Sequence, residues 1–308
     1  MLSRSAKIFE PVLRTSSLTS PAIRGVLWMV LSQVLFSAMG VFTRLAAKDV
    51  PWQEIALARF GIGAVVPFLM AKTRGASLSI TNKKLMWTRS VTGTLSALAV
   101  FYVWASPKIP LGDAVTLTSI GPVFVVLLSW PLLKERVGKL VWGAVPFAFC
   151  GIMLVLKPSF HVALSLAAVA IIGSFFYSLA MISLRQIGQG ESAEAVVMYF
   201  MLFGAFVTLC ISIPVWKTPD LISGLFLMLT GLAGGLGQLA MTRAYSLDSA
   251  ARISVLNYLG IIFTNIFAIP VFGGFPGPWQ IVGTGLVILS GLFITLSAQK
   301  EKILLETA

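Results

Sequence analysis

Charge is what this chain has least of. Asp, Glu, Lys and Arg make up 11% of its 308 residues, against 57% hydrophobic, too few polar groups to clothe a soluble protein of that size. Acids are scarcer than bases, 11 against 23, and Glu54, Asp113, Glu135, Glu194, Asp220 and Asp248 fall near the ends of apolar runs. Proton relays across membranes are built from mid-span carboxylates, so none is expected here. Cys150 and Cys210 both lie inside apolar runs, where a free thiol acts as a small hydrophobe, and no disulfide framework follows. With His161 as the single histidine, no His/Cys cluster has metal-ligand spacing. Gly-rich phosphate loops and Ser/His/Asp constellations are missing too, so no metal, no cofactor and no enzyme chemistry are expected.

What is present is apolar length. Ten runs of about 20 residues, the span of a hydrocarbon core, cover 24–47, 52–71, 85–105, 111–133, 140–157, 162–184, 194–215, 221–243, 250–272 and 278–298. The net charge of +12 raises nucleic acid as a partner, and its distribution rejects that reading. With a cytoplasmic N-terminus, 17 Arg and Lys, Arg89 among them, fall on the inner side and five on the outer. By the positive-inside rule both tails, 1–23 and 299–308, are then cytoplasmic. The Ser- and Arg-rich opening "MLSRSAKIFEPVLRTSSLTSP" also fits an organelle transit segment; a cytoplasmic tail is the plainer reading.

The chain repeats itself. "EIALARFGIGAVV" from Glu54 and "EAVVMYFMLFGAF" from Glu194 share an acid heading a span and an aromatic six on, Phe60 and Phe200, at an offset of 140. Ser37 and Arg44 match Ser178 and Arg185, Pro131 matches Pro270, and Gly151 matches Gly291, all within a residue of that offset. Each copy, 24–157 and 162–298, holds five spans. An odd number turns the second copy over, so the expected fold is all-α and membrane-embedded, ten transmembrane helices as two inverted five-helix repeats around a central cavity. A duplication inherited without a transport role stays open.

Over 24–298 the chain resembles the drug/metabolite transporter superfamily and, within it, the ten-helix EamA-type proteins. The resemblance rests on "IPLGDAVTLTSIGPVFVVLLSWPLLKERV", with Pro122, Leu133 and Glu135, on "GQLAMTRAYSLDSAARISVLNY", and on the Gly-rich "PGPWQIVGTGLVILSG". In that family each repeat ends its fourth helix near a Gly-Glu step. The first copy keeps Glu135 and the second has Gly274 in its place. Glu135, among Lys134, Arg136 and Lys139, either pins a loop by ion pairing or serves as a gating latch; Gly274 reads as a flexible turn.

Arg59 is the sharpest single residue, about seven positions into the second span, where a cation needs a partner, water or a route to the interface. Glu54, five positions away, is roughly 140° around the helix and shares no face with it. Arg59 is therefore either a structural cation or an anchor for an anionic or carbonyl-bearing substrate. Gln33, Ser37, Tyr102, Thr118, Ser119, Tyr177, Ser178, Gln238, Asn257 and Tyr258 are also candidates, as glue between helices or as a cavity wall. The expected function is secondary transport of a small organic metabolite (amino acid, vitamin, nucleoside-like cofactor or drug) across a bacterial inner membrane by alternating access. The expected partners are that substrate and the bilayer, with the chain a monomer or homodimer. A broad-specificity exporter and a non-transporting membrane protein remain as alternatives.

Overall fold

A computed structural model describes residues 21–133, 160–188, 190–247 and 250–290, with isolated positions 147, 150, 151, 154 and 293. Every described element is a helix. In chain order they are α1 (Pro21–Ala46), α2 (Trp52–Arg74), α3 (Lys83–Ala105), α4 (Leu111–Thr118), α5 (Gly121–Leu133), α6 (Phe160–Ile187), α7 (Ala193–Ser212), α8 (Leu221–Leu247), α9 (Ala250–Val255) and α10 (Leu259–Phe272). A final helix, α11, covers Pro278–Ser290. Expected spans one to four and six to nine each fall on these helices, and α11 covers most of the tenth. The fifth, 140–157, lies almost wholly outside the described residues, as does Glu135.

Six described helical segments, α4 and α5 together counting as one, are long and apolar enough to cross a membrane. The outer surface of α3 shows which solvent they face. Trp87, Val91, Leu95 and Tyr102 are exposed, while Arg89, Ser90, Thr94 and Ser96 are buried, the reverse of a helix in water. The chain is an integral membrane protein, and Cys150 and Cys210 lie exposed on its surface.

Helices of the first half pack mainly on helices of the second: α1 on α8 and α10, α2 on α7 and α8, α3 on α6 and α7, and α5 on α6. Exchanging the halves maps α1 on α8 to α6 on α3, and α1 on α10 to α6 on α5. Glycines set the closest approach. A Cβ at Gly235 would stand 2.6 Å from Gly63 O and 3.0 Å from Gly63 Cα, so "GLAGGLG" (231–237) brings α8 backbone to backbone with α2.

Two membrane-crossing segments are interrupted, and at matching positions. The fourth breaks between α4 and α5 at Ser119 and Ile120; the ninth breaks at a 3-10 turn, Leu256–Tyr258, between α9 and α10. Gly121 and Gly260, 139 residues apart, follow the two breaks. Backbone freed from helical bonding inside a membrane needs another partner, and a serine from the opposite half bonds the chain at or beside each break. Ser174 Oγ donates to Thr118 O at 3.2 Å, and Ser37 Oγ donates to Gly260 O at 3.2 Å.

Candidate functional site: a cation-lined cavity between the halves

Between the interrupted segments lies a cavity of about 170 Å³. Its wall includes Gln33, Ser37, Arg59, Thr118 and Ser119 from the first half, and Tyr177, Gln238 and Asn257 from the second. Many are bonded to one another. Thr264 donates to Ser37 Oγ at 3.0 Å, Gln33 Nε2 to Asn257 Oδ1 at 3.0 Å, and Asn257 Nδ2 to Tyr177 OH at 3.1 Å. Trp104 Nε1 donates to Thr118 Oγ1 at 3.0 Å. Three candidates lie elsewhere. Tyr102, 41% exposed, faces outward edge-on to Trp52, and its neighbour Phe101 takes the cavity position. Ser178 is fully buried and donates to Phe175 O within α6. Tyr258 is buried beside the break without reaching the wall, and its hydroxyl has no partner among the described residues.

Arg59 is 4% exposed and finds its partners across the halves. Its Nη2 donates to Gln238 Oε1 at 3.0 Å and its Nη1 to Met201 Sδ at 2.8 Å. The guanidinium stands 5.1 Å from the Phe60 ring centre and 5.9 Å from that of Phe200. Glu54 turns away, accepting from Lys217 N at 2.6 Å.

The residue that sequence reasoning missed is Arg89, which the charge count placed among flanking cytoplasmic cations. It is 2% exposed and lines the cavity, with its guanidinium 4.1 Å from the Phe200 ring centre. A side chain leaning toward the start of its own helix would reach the interface near Lys83. Arg89 runs the other way, and a Cβ at Gly93, one turn further on, would collide with its Nη1. The usable signal was the stretch "RSVTGTLS" (89–96), whose hydroxyls and glycine make a polar, low-bulk strip.

A second space, about 510 Å³, opens at the far end of α3. Arg44, Lys48, Lys108, Asp113 and Gly274 line it. Arg44 Nε donates to Trp104 O and Nη1 to Ile109 O, at 2.7 and 2.9 Å. Gln280 Nε2 donates to Asp113 Oδ2 at 3.2 Å and Thr116 meets Thr284 at 3.4 Å, so α4 is bound to α11. Gly273 and Gly274 have φ of 68° and 78°, a left-handed turn that resists a side chain. A side chain at 274 would be strained in this turn, which suits the glycine that stands there in place of the acid. At the opposite end Glu194 pairs with Arg243, with Arg74 3.8 Å away. Nearby, Glu191 accepts from Thr81 N and Asn82 N at 2.7 and 3.1 Å.

Lipid-facing helices around a cavity that holds polar and cationic side chains, with two interrupted segments flanking it, define a membrane transporter of small molecules. The EamA-like transporter family model matches residues 23–157 and again 164–296. A pseudopaline exporter of Pseudomonas aeruginosa is 29% identical over 279 residues, covering 90% of this chain and 97% of its own. A riboflavin transporter of Vibrio cholerae is 24% identical, covering 89% and 93%. Human solute carrier family 35 member G1 is 25% identical, covering 87% and 78%. One solved crystal structure superimposes with a TM-score of 0.69 at 16% identity over 90% of this chain, a likeness of fold alone. The chain belongs to the EamA-like transporter family.

Proposed function

We propose that this chain carries a small organic metabolite across a bacterial inner membrane by alternating access, with both termini cytoplasmic and the substrate held in the cavity between the halves. The observation that carries this reading is the pair of interrupted segments at matching positions, each stitched to the opposite half and flanking the cavity. Paired discontinuous helices mark substrate sites in transporters built from inverted repeats. In this reading the basic vestibule around Arg44 and Gly274 is the outer mouth. The Asp113–Gln280 bond closes that mouth, and the Glu194–Arg243–Arg74 cluster closes the inner one. With Arg89 set aside as a cavity residue, the bias of sixteen to five still supports the orientation. At about 170 Å³ the cavity is smaller than common ligand clefts of roughly 300–1,000 Å³.

The test uses Ser119→Cys in a background with Cys150 and Cys210 changed to Ala. In sealed vesicles of known orientation, a membrane-impermeant maleimide is expected to label position 119 from either face. Labelling confined to one face under every condition would refute alternating access.

A further inference from the structure

The cavity wall holds two buried guanidinium groups, and no ion pair reaches either among the described residues, where both salt bridges belong to Glu194. They arrive from helices that cross the membrane in opposite directions, Arg59 on α2 and Arg89 on α3, yet they stand against one ring, Phe200. Arg89 Nε and Nη1 are buried without an acceptor among the described residues. Gln238 Nε2 is a third orphan, since Arg59 occupies the Gln238 amide oxygen and leaves the amino group facing no acceptor. Every orphaned side-chain atom on this cavity wall is therefore a donor. Ring quadrupoles offset part of the cost of burying a cation, but they accept no hydrogen bond in the plane of the guanidinium. Away from Phe200 the wall turns apolar and aromatic through Val100, Phe101 and Trp104.

We propose that the substrate is an organic oxyanion, its carboxylate or phosphate head held by Arg89, Arg59 and the Gln238 amide and its apolar body lying along α3 toward Trp104. Arg89 supplies the charge-assisted bonds, because its donors are free; Arg59, already bonded to Gln238, fixes the third donor. The inference rests on the cavity being the substrate site.

The experiment is a melting curve of the detergent-purified full chain, which needs no transport. Benzoate, phenyl phosphate and neutral benzamide are compared at matched ionic strength, with sodium chloride as the baseline. At least one anion is expected to raise the melting temperature and to bind tenfold or more tighter than benzamide. The stronger anion decides between carboxylate and phosphate. Arg89→Gln is expected to weaken that anion at least tenfold, with Arg89→Lys recovering part. Arg89→Met, of similar bulk, is expected to melt higher than wild type without ligand, because it removes an uncompensated buried charge; a structural cation would give the opposite sign. No response to either anion, an equal response to benzamide, an unchanged Arg89→Gln, or an Arg89→Met that melts lower overturns the proposal. Anion binding through Arg89 with one-sided labelling at position 119 keeps the oxyanion site and removes alternating access; the converse result does the reverse.

Discussion

Arg89 and Lys83 stand six positions apart on one helix and in different solvents, and the difference is made by Gly93. Its missing side chain is the space into which the guanidinium folds. Gly93→Ala puts a Cβ against Arg89 Nη1 and 2.8 Å from Phe200, and is expected to cost about 1–3 kcal/mol through overpacking. A lower melting temperature checks it. Glu194 provides a contrast at the same scale, since its two arginines differ in exposure, 12% for Arg243 and 54% for Arg74. Glu194→Gln is expected to destabilise by about 1.5–3 kcal/mol, the range of a hydrogen bond to a charged group. Arg74→Gln is expected to stay within about 1 kcal/mol because water screens its charge. Chemical denaturation of the two variants side by side separates these outcomes.

At the scale of elements, the interrupted fourth and ninth segments matter more than any intact helix. Ser174 holds the Thr118 carbonyl, released where α4 ends, and Ser37 adds a cross-half hydrogen bond to Gly260 O in the first turn of α10. Ser37→Ala and Ser174→Ala are each expected to cost about 0.5–2 kcal/mol, the range measured for hydrogen bonds between membrane helices. The close approach of α2 and α8 is less forgiving. Gly235→Leu drives a side chain into the Gly63 backbone and is expected to prevent folding, read as loss of the monodisperse purified species. Gly224→Ala, on the same helix with nothing near its Cβ, is expected to be neutral or to stabilise by up to about 1 kcal/mol through helix propensity.

Across the whole molecule the repeated acids act at opposite ends. Glu54 and Glu194 head equivalent helices at an offset of 140, and each reaches the other half, Glu54 by a hydrogen bond and Glu194 by an ion pair with Arg74 at 3.8 Å. Glu54 takes the backbone N–H of Lys217, at the turn before α8, and Glu194 meets Arg74, at the end of α2, while Arg243 of its own half holds it in place. Each bond secures one end of the interface. If the halves rock about the cavity, weakening one end favours the conformation open there. Glu54→Gln is therefore expected to speed labelling at position 119 from the outside, and Glu194→Gln from the inside. Identical rates in both variants would show that these acids only brace the fold.

Much of this architecture is legible in the sequence because lipid imposes a local rule: about 20 apolar residues make a crossing helix. That rule alone determines the membrane as solvent and where the crossing segments fall, while the register of 139 to 141 residues determines the two-fold repetition. It also exposes Arg59, because a charge deep in an apolar run is conspicuous. The breaks were less legible, since "LTSIGPVF" and "VLNYLGII" keep their hydropathy while the helix stops. Which side chains meet was decided only by the tertiary structure, because the rotation of a helix about its axis is set by the neighbours it packs against. On α3 that rotation turns Tyr102 outward, puts Phe101 on the cavity and carries Arg89 from an apparent membrane flank to the Phe200 ring. Charge counting works along one dimension, and the environment of a guanidinium is fixed in three.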